Sequence, residues 1–168
     1  MKKFLAPLLL LTSLLSFGHA TNEPFTASYL KLKPILKTQL FQGDYKQQAG
    51  TSYINLFKPH KGEMHSSVYF NVRVFLKPKT AEIKQLSILS QYCSNSEVPK
   101  AEFTKWSEEL TQTLYQAYLG EKLPIDLLQK DSFQSKTHSH KYKKIRIKNA
   151  AYKCDGHGGD GKKLDIFF

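Results

Sequence analysis

The stretch Val68 to Leu76, VYFNVRVFL, limits what this chain can fold into more than any other. Val68, Phe70, Val72, Val74 and Leu76 alternate with Tyr69, Asn71, Arg73 and Phe75. A period of two, filled with β-branched and aromatic residues, is the pattern of a strand that buries one face and shows the other. Pro78 ends it. Before it, Tyr53, Ile54, Leu56 and Phe57 form a β-rich run closed by Pro59, with Lys61-Gly62 marking the loop of a hairpin. After it, Glu82 to Cys93 predicts a third strand, in which Leu86, Ile88 and Tyr92 share one parity.

A layer to cover that apolar face comes from Lys100 to Leu119. Phe103, Trp106, Leu110, Leu114 and Ala117 recur at spacings of three and four, an apolar helical stripe. Glu102, Glu108 and Glu109 lie toward its positive N-terminal half, and Gly120 supplies the stop. The stripe around Trp106 reads as core packing. A shorter helix is predicted from Pro34 to Phe41, stopped by Gly43, and another from Pro124 to Lys130 with proline in its first turn. Two more strands are expected, His140 to Tyr152 and Lys163 to Phe168. Strands, then helix, then strands again predict an α+β domain. It should have a mostly antiparallel sheet of about five strands, with one long amphipathic helix packed on one face. No internal repeat is visible.

The N-terminus sets the expected destination. Lys2 and Lys3 precede an almost wholly apolar run from Phe4 to Phe17, and Gly18-His19-Ala20 offers small residues at −3 and −1. That three-part pattern predicts a signal peptide over residues 1–20, cleaved after Ala20, and a single exported domain over 21–168. The apolar run is shorter than the roughly 20 residues that hydrocarbon requires. The expected location is therefore the periplasm or the exterior, with no transmembrane span in the mature chain. Cys93 and Cys154 are the two cysteines of the chain, and in an oxidising compartment they are expected to form a disulfide.

Residues able to carry chemistry are few. The tail places Asp155, His157 and Asp160 among glycines, and Gly158-Gly159-Asp160-Gly161 resembles one turn of a calcium-binding glycine-rich repeat. Lys163, however, stands where that pattern wants an aspartate, and there are no neighbouring repeats to stack on. A turn between two strands accounts for the same residues. His138 and His140 alternate on a predicted strand and so face one way, but two imidazoles fall short of the three or four ligands of a zinc site. His60, Glu63 and His65 sit at a hairpin tip, where exposure leaves little scope for pKa tuning. There is no GxSxG, phosphate-binding loop or dinucleotide fingerprint. No cofactor is expected.

The net charge of +11 falls to +9 once Lys2 and Lys3 leave with the leader, a surplus that favours anionic partners: phosphate-rich envelope polymers, an acidic protein, or nucleic acid, for which no motif in the chain speaks. It concentrates between Ser132 and Cys154, which hold seven basic residues and no acidic one. Lys144, Arg146 and Lys148 alternate with Ile145 and Ile147, so a strand there sets three cations about 7 Å apart on one face. Tyr142 shares their parity. Two readings follow. The first is a non-catalytic exported binding protein, of the inhibitor or immunity-protein type. It would engage an anionic envelope polymer or an acidic protein through Tyr142, Lys144, Arg146 and Lys148. The second is a small metal-dependent hydrolase or nuclease drawing on His138, His140, Asp155, His157 and Asp160, with the basic strand holding a polyanion. Its requirement is that those five side chains converge.

Overall fold

The computed structural model describes residues 27–48, 50–62, 68–94, 96–124, 136–140, 143–154 and 157–168; for 136–140, 143–154, 157 and 158 it describes strand pairing, and a side chain only at Ile145. The leader, the expected helix at 124–130, Glu63, His65, Tyr142 and Asp155 lie outside the described residues, apart from Pro124.

The chain runs α1 (Tyr29–Thr38), β1 (Tyr53–Lys58), a 3-10 turn (His60–Gly62), β2 (Val68–Leu76), β3 (Ile83–Cys93), α2 (Lys100–Leu119), β4 (Lys136–His140), β5 (Lys143–Cys154) and β6 (His157–Phe167). Among the described residues six strands form one antiparallel sheet in the order β1-β2-β3-β6-β5-β4. The class is α+β; the described residues hold six strands and two helices, where about five strands, one long helix and two shorter ones were expected. The helix and three-strand meander occur twice, each time running from an edge to the centre, so β3 and β6 meet in the middle. This topological repeat leaves no trace in the sequence, because each half buries its own set of side chains.

The period-2 run does what its pattern requires. Val68, Phe70, Val72, Val74 and Leu76 of β2 are buried and every alternate position is half-buried. Phe70, Val72, Val74 and Leu76 meet Leu32 and Leu36 of α1 and Leu110, Leu114 and Tyr115 of α2 in one core, while Val68 packs with Val98 and Phe103 in a second cluster. Phe70, with no exposed surface, packs edge-on against Phe41 at 5.9 Å and Trp106 at 5.7 Å. Tyr118 donates to the Ser28 carbonyl at 3.2 Å and joins the two helices. Burial pushes the Tyr29 phenol up to about 12, so it stays a donor, to the Tyr45 carbonyl at 2.9 Å.

Four local expectations are corrected. First, α1 starts at Tyr29, five residues before Pro34. Ser28 caps it by accepting from the Leu30 amide at 3.2 Å. Pro34 is tolerated because the carbonyl it leaves unbonded belongs to Leu30, which is 69 % exposed and open to water. Second, the stop is Leu40, not Gly43. Leu40 takes φ 59°, the Phe41 amide donates to the Leu36 carbonyl at 3.1 Å, and the Leu40 amide donates to the Lys37 carbonyl at 2.9 Å. This is a Schellman motif with leucine in the position glycine usually fills. Third, the basic region is two strands, β4 and β5, rather than one from His140 to Tyr152. Fourth, β6 begins at His157. Cys154 pairs with His157, so only Asp155 and Gly156 separate the strands, and Gly158, Gly159 and Gly161 lie inside β6.

Leu40 leads to a stability prediction. A side chain in the left-handed region costs about 1 kcal/mol, and Leu40 is 73 % exposed, so little burial offsets it. Leu40→Gly is expected to raise the unfolding free energy by about 0.5 kcal/mol after the extra unfolded-state entropy of glycine. Thermal melting should show a midpoint higher by about 1–2 °C; a fall would show that Leu40 makes an apolar contribution greater than its strain.

Candidate binding face

Both helices lie against the sheet face that carries Val72, Ile88, Leu164 and Ile145. The opposite face is built from the alternate positions. On β1 and β2 these include Tyr53, Asn55, Phe57, Tyr69, Arg73 and Phe75; Asn55 is exposed and the others half-buried. Arg73 Nε donates to Asn55 Oδ1 at 3.3 Å, and its guanidinium lies 5.4 Å from the Tyr53 ring centre. Tyr53 packs on Phe75 at 5.2 Å.

A polar row crosses the middle of this face. Register aligns Asn55, Arg73, Ser87, Asp165, Arg146 and Thr137 across all six strands. Asp165 and Ser87 are buried. The carboxylate accepts from Ser87 Oγ and from Gln85 Nε2 at 3.1 Å, and its second oxygen lies 3.1 Å from Lys163 Nζ. A buried carboxylate with three partners is a satisfied group.

Lys144, Arg146 and Lys148 stand opposite Phe167, Asp165 and Lys163 respectively. They therefore have the parity of the open face, while Ile145 between them is buried on the helix side. Positions of the open face thus include five cations, Arg73, Lys163, Lys144, Arg146 and Lys148, and one acid, Asp165, among the described residues. The sequence pointed to the three on β5; Arg73 and Lys163 were missed. The parity of Arg73 was legible, but its sharing a face with β5 depends on the intervening pairings.

The metal candidates do not come together by register. His138 and His140 pair with Ile145 and Lys143, which puts them on the helix-side parity, opposite to the basic ridge. Asp160 shares that parity but pairs with Ala151, six residues along β5 from Ile145, a separation of about 20 Å. Its carboxylate is paired with Lys100. His157 has the other parity. Register thus sets His138 and His140 on the parity away from the ridge, while His157 shares the ridge's parity.

Comparison with family models, with curated proteins and with solved structures finds no match. The chemistry of this face therefore has to be argued from its own residues.

Two further constellations lie on the helix side. His60 is 3 % exposed, correcting the expectation of an exposed hairpin tip. Its ring stands edge-on to Trp106 at 5.0 Å, and its Nε2 lies 3.6 Å from Glu102 Oε1. The hydrogen bond from Lys61 holds the Glu102 carboxyl below its usual range. The 3-10 turn is thereby docked on the first turns of α2. Glu108 of α2 pairs with Lys162 of β6 at 2.7 Å beside Ser90, Ser107 and Thr111. The gap among them is about 20 Å³, room for roughly one water molecule and no organic ligand. Both constellations fasten α2 to the sheet. Among the described residues no group of three metal-ligating side chains occurs.

Proposed function

We propose that this chain is an exported, non-catalytic binding protein whose open sheet face engages an anionic macromolecule. The excess of five cationic positions over one acid on that face carries the reading, and the acid is already held by Ser87, Gln85 and Lys163. A face with such a surplus of cationic positions favours a polyanion through charge attraction and counterion release. Periplasmic or secreted location follows from the leader of residues 1–20. No helix among the described residues is long and apolar enough to cross a membrane.

A Cys93–Cys154 disulfide belongs to the same reading. Cys93 is buried, no described cysteine is a free thiol, and Cys154 is the other cysteine in the chain. Between the ends of β3 and β5 lies the glycine-rich start of β6, where Gly159 pairs with both Cys93 and Tyr152.

The test is salt-dependent binding of the purified protein to inorganic polyphosphate. Wild type should show a steep fall of affinity with salt. Replacing Lys144, Arg146 and Lys148 with glutamate should flatten that slope by about three, one for each phosphate contact removed, and weaken binding by about 100-fold or more at low salt. An unchanged slope would remove the ridge from the interaction.

A further inference from the structure

We infer that Tyr53, Arg73 and Phe75 form a second subsite on the open face, and that the polyanion it takes is single-stranded nucleic acid. This rests on the reading of the face as a polyanion surface and adds the class of ligand.

Arg73 is the central residue. Its Nε is held by Asn55 and its guanidinium lies over the Tyr53 ring, so the side chain is fixed in place. Among the described residues no carboxylate pairs with it, and its two Nη groups remain as a planar fork. A guanidinium held this way is pre-organised for the paired oxygens of a phosphate, with little entropy left to lose on binding. Lys163, by contrast, is engaged by Asp165.

Position selects the ligand. Arg73 and Arg146 share one cross-strand row and are three strand spacings apart, about 14 Å. A chain laid across the strands meets a cationic position at each end of that span. Around the Arg73 end the face is aromatic, with half-buried Tyr53, Phe57, Tyr69 and Phe75 on neighbouring strands. Cations interleaved with ring faces serve two chemical groups at once: phosphates meet charge, and planar bases stack on rings or on the guanidinium. A phosphate polymer without bases uses the charges alone. A duplex keeps its bases stacked on each other and offers none to the rings. Only the unpaired strand uses both features.

The experiment compares a fluorescent oligothymidylate with inorganic polyphosphate of matched charge, by anisotropy and competition at one salt concentration. Stacking is worth about 1–3 kcal/mol per base, so the oligonucleotide should bind about tenfold more tightly. Arg73→Ala should abolish that preference while polyphosphate still binds through the ridge. Arg73→Lys keeps the charge but loses the planar fork; it should also lose most of the preference. It decides the matter if Arg73→Ala melts at a lower temperature than wild type. Equal affinity for the two polymers, or a preference surviving both substitutions, overturns the subsite. Binding of neither polymer sinks the underlying reading of the face as well.

Discussion

Phe70→Ala is expected to lower the free energy of unfolding by about 4 kcal/mol. Phe70 has no exposed surface and sits in the middle of the strand on which the core is built. Removing its ring deletes the transfer energy of a phenyl group, leaves a cavity between sheet and α2, and breaks the edge-on contacts with Phe41 and Trp106. Each such contact adds about 0.5–1.5 kcal/mol beyond burial. Domains of this size are held by about 5–15 kcal/mol in all, so the loss is a large fraction of the total. Phe75 gives the internal comparison. It lies on the same strand but on the open face, half-buried and packed on Tyr53. Phe75→Ala should cost about 1 kcal/mol, the worth of a cross-strand pair. Equilibrium denaturation of the two variants reads the difference as a shift in midpoint with unchanged slope. Comparable losses would mean that both faces are packed equally and that the open face is not open.

The second large effect concerns the cysteines. A link between Cys93 and Cys154 closes a loop of 61 positions. Loop closure in the unfolded chain then contributes about 4 kcal/mol in the chain-entropy description. The double variant Cys93→Ser, Cys154→Ser should unfold at correspondingly lower denaturant, and reductant should move wild type to the same midpoint. Alkylation of the unfolded, unreduced protein followed by mass spectrometry should label neither thiol. Labelling at both positions, or indifference to reductant, would refute the link. The ridge on β5 would then lose its covalent tie to the central strand β3.

How far the fold could be read in advance varied with the range of the cause. The stripe from Phe103 to Leu114 placed α2 with its ends, because helical period and a glycine stop are properties of neighbouring residues. The alternation in β2 placed a strand and both its faces for the same reason. α1 was misplaced because Pro34 reads as a helix boundary unless one knows that Leu30, whose carbonyl it leaves without a helical donor, lies on the exposed side of the helix. β4 has no apolar pattern at all; Lys136 to His140 is a strand only because β5 pairs with it. The glycines at 158, 159 and 161 read as a turn, yet they lie in a strand, Gly159 and Gly161 paired on both sides and Gly158 paired with Lys153 of β5. His60 reads as an exposed loop residue and is buried by Trp106, 46 positions away in the chain.

For the candidate face, the three cations of β5 were visible as an alternating run, since their spacing is local. Their company was not. That Arg73 and Lys163 join them, that Asp165 stands opposite Arg146, and that His138 has the opposite parity are all consequences of register. By itself, then, the amino-acid order determined the elements with a strong period and the sign of the charge on one strand. Strand order and the pairing of distant segments decided which side chains share a surface. Periodicity acts over a few residues through backbone geometry, whereas register is set by contacts between segments up to some 80 positions apart, such as Ser87 and Asp165, and no local pattern encodes those.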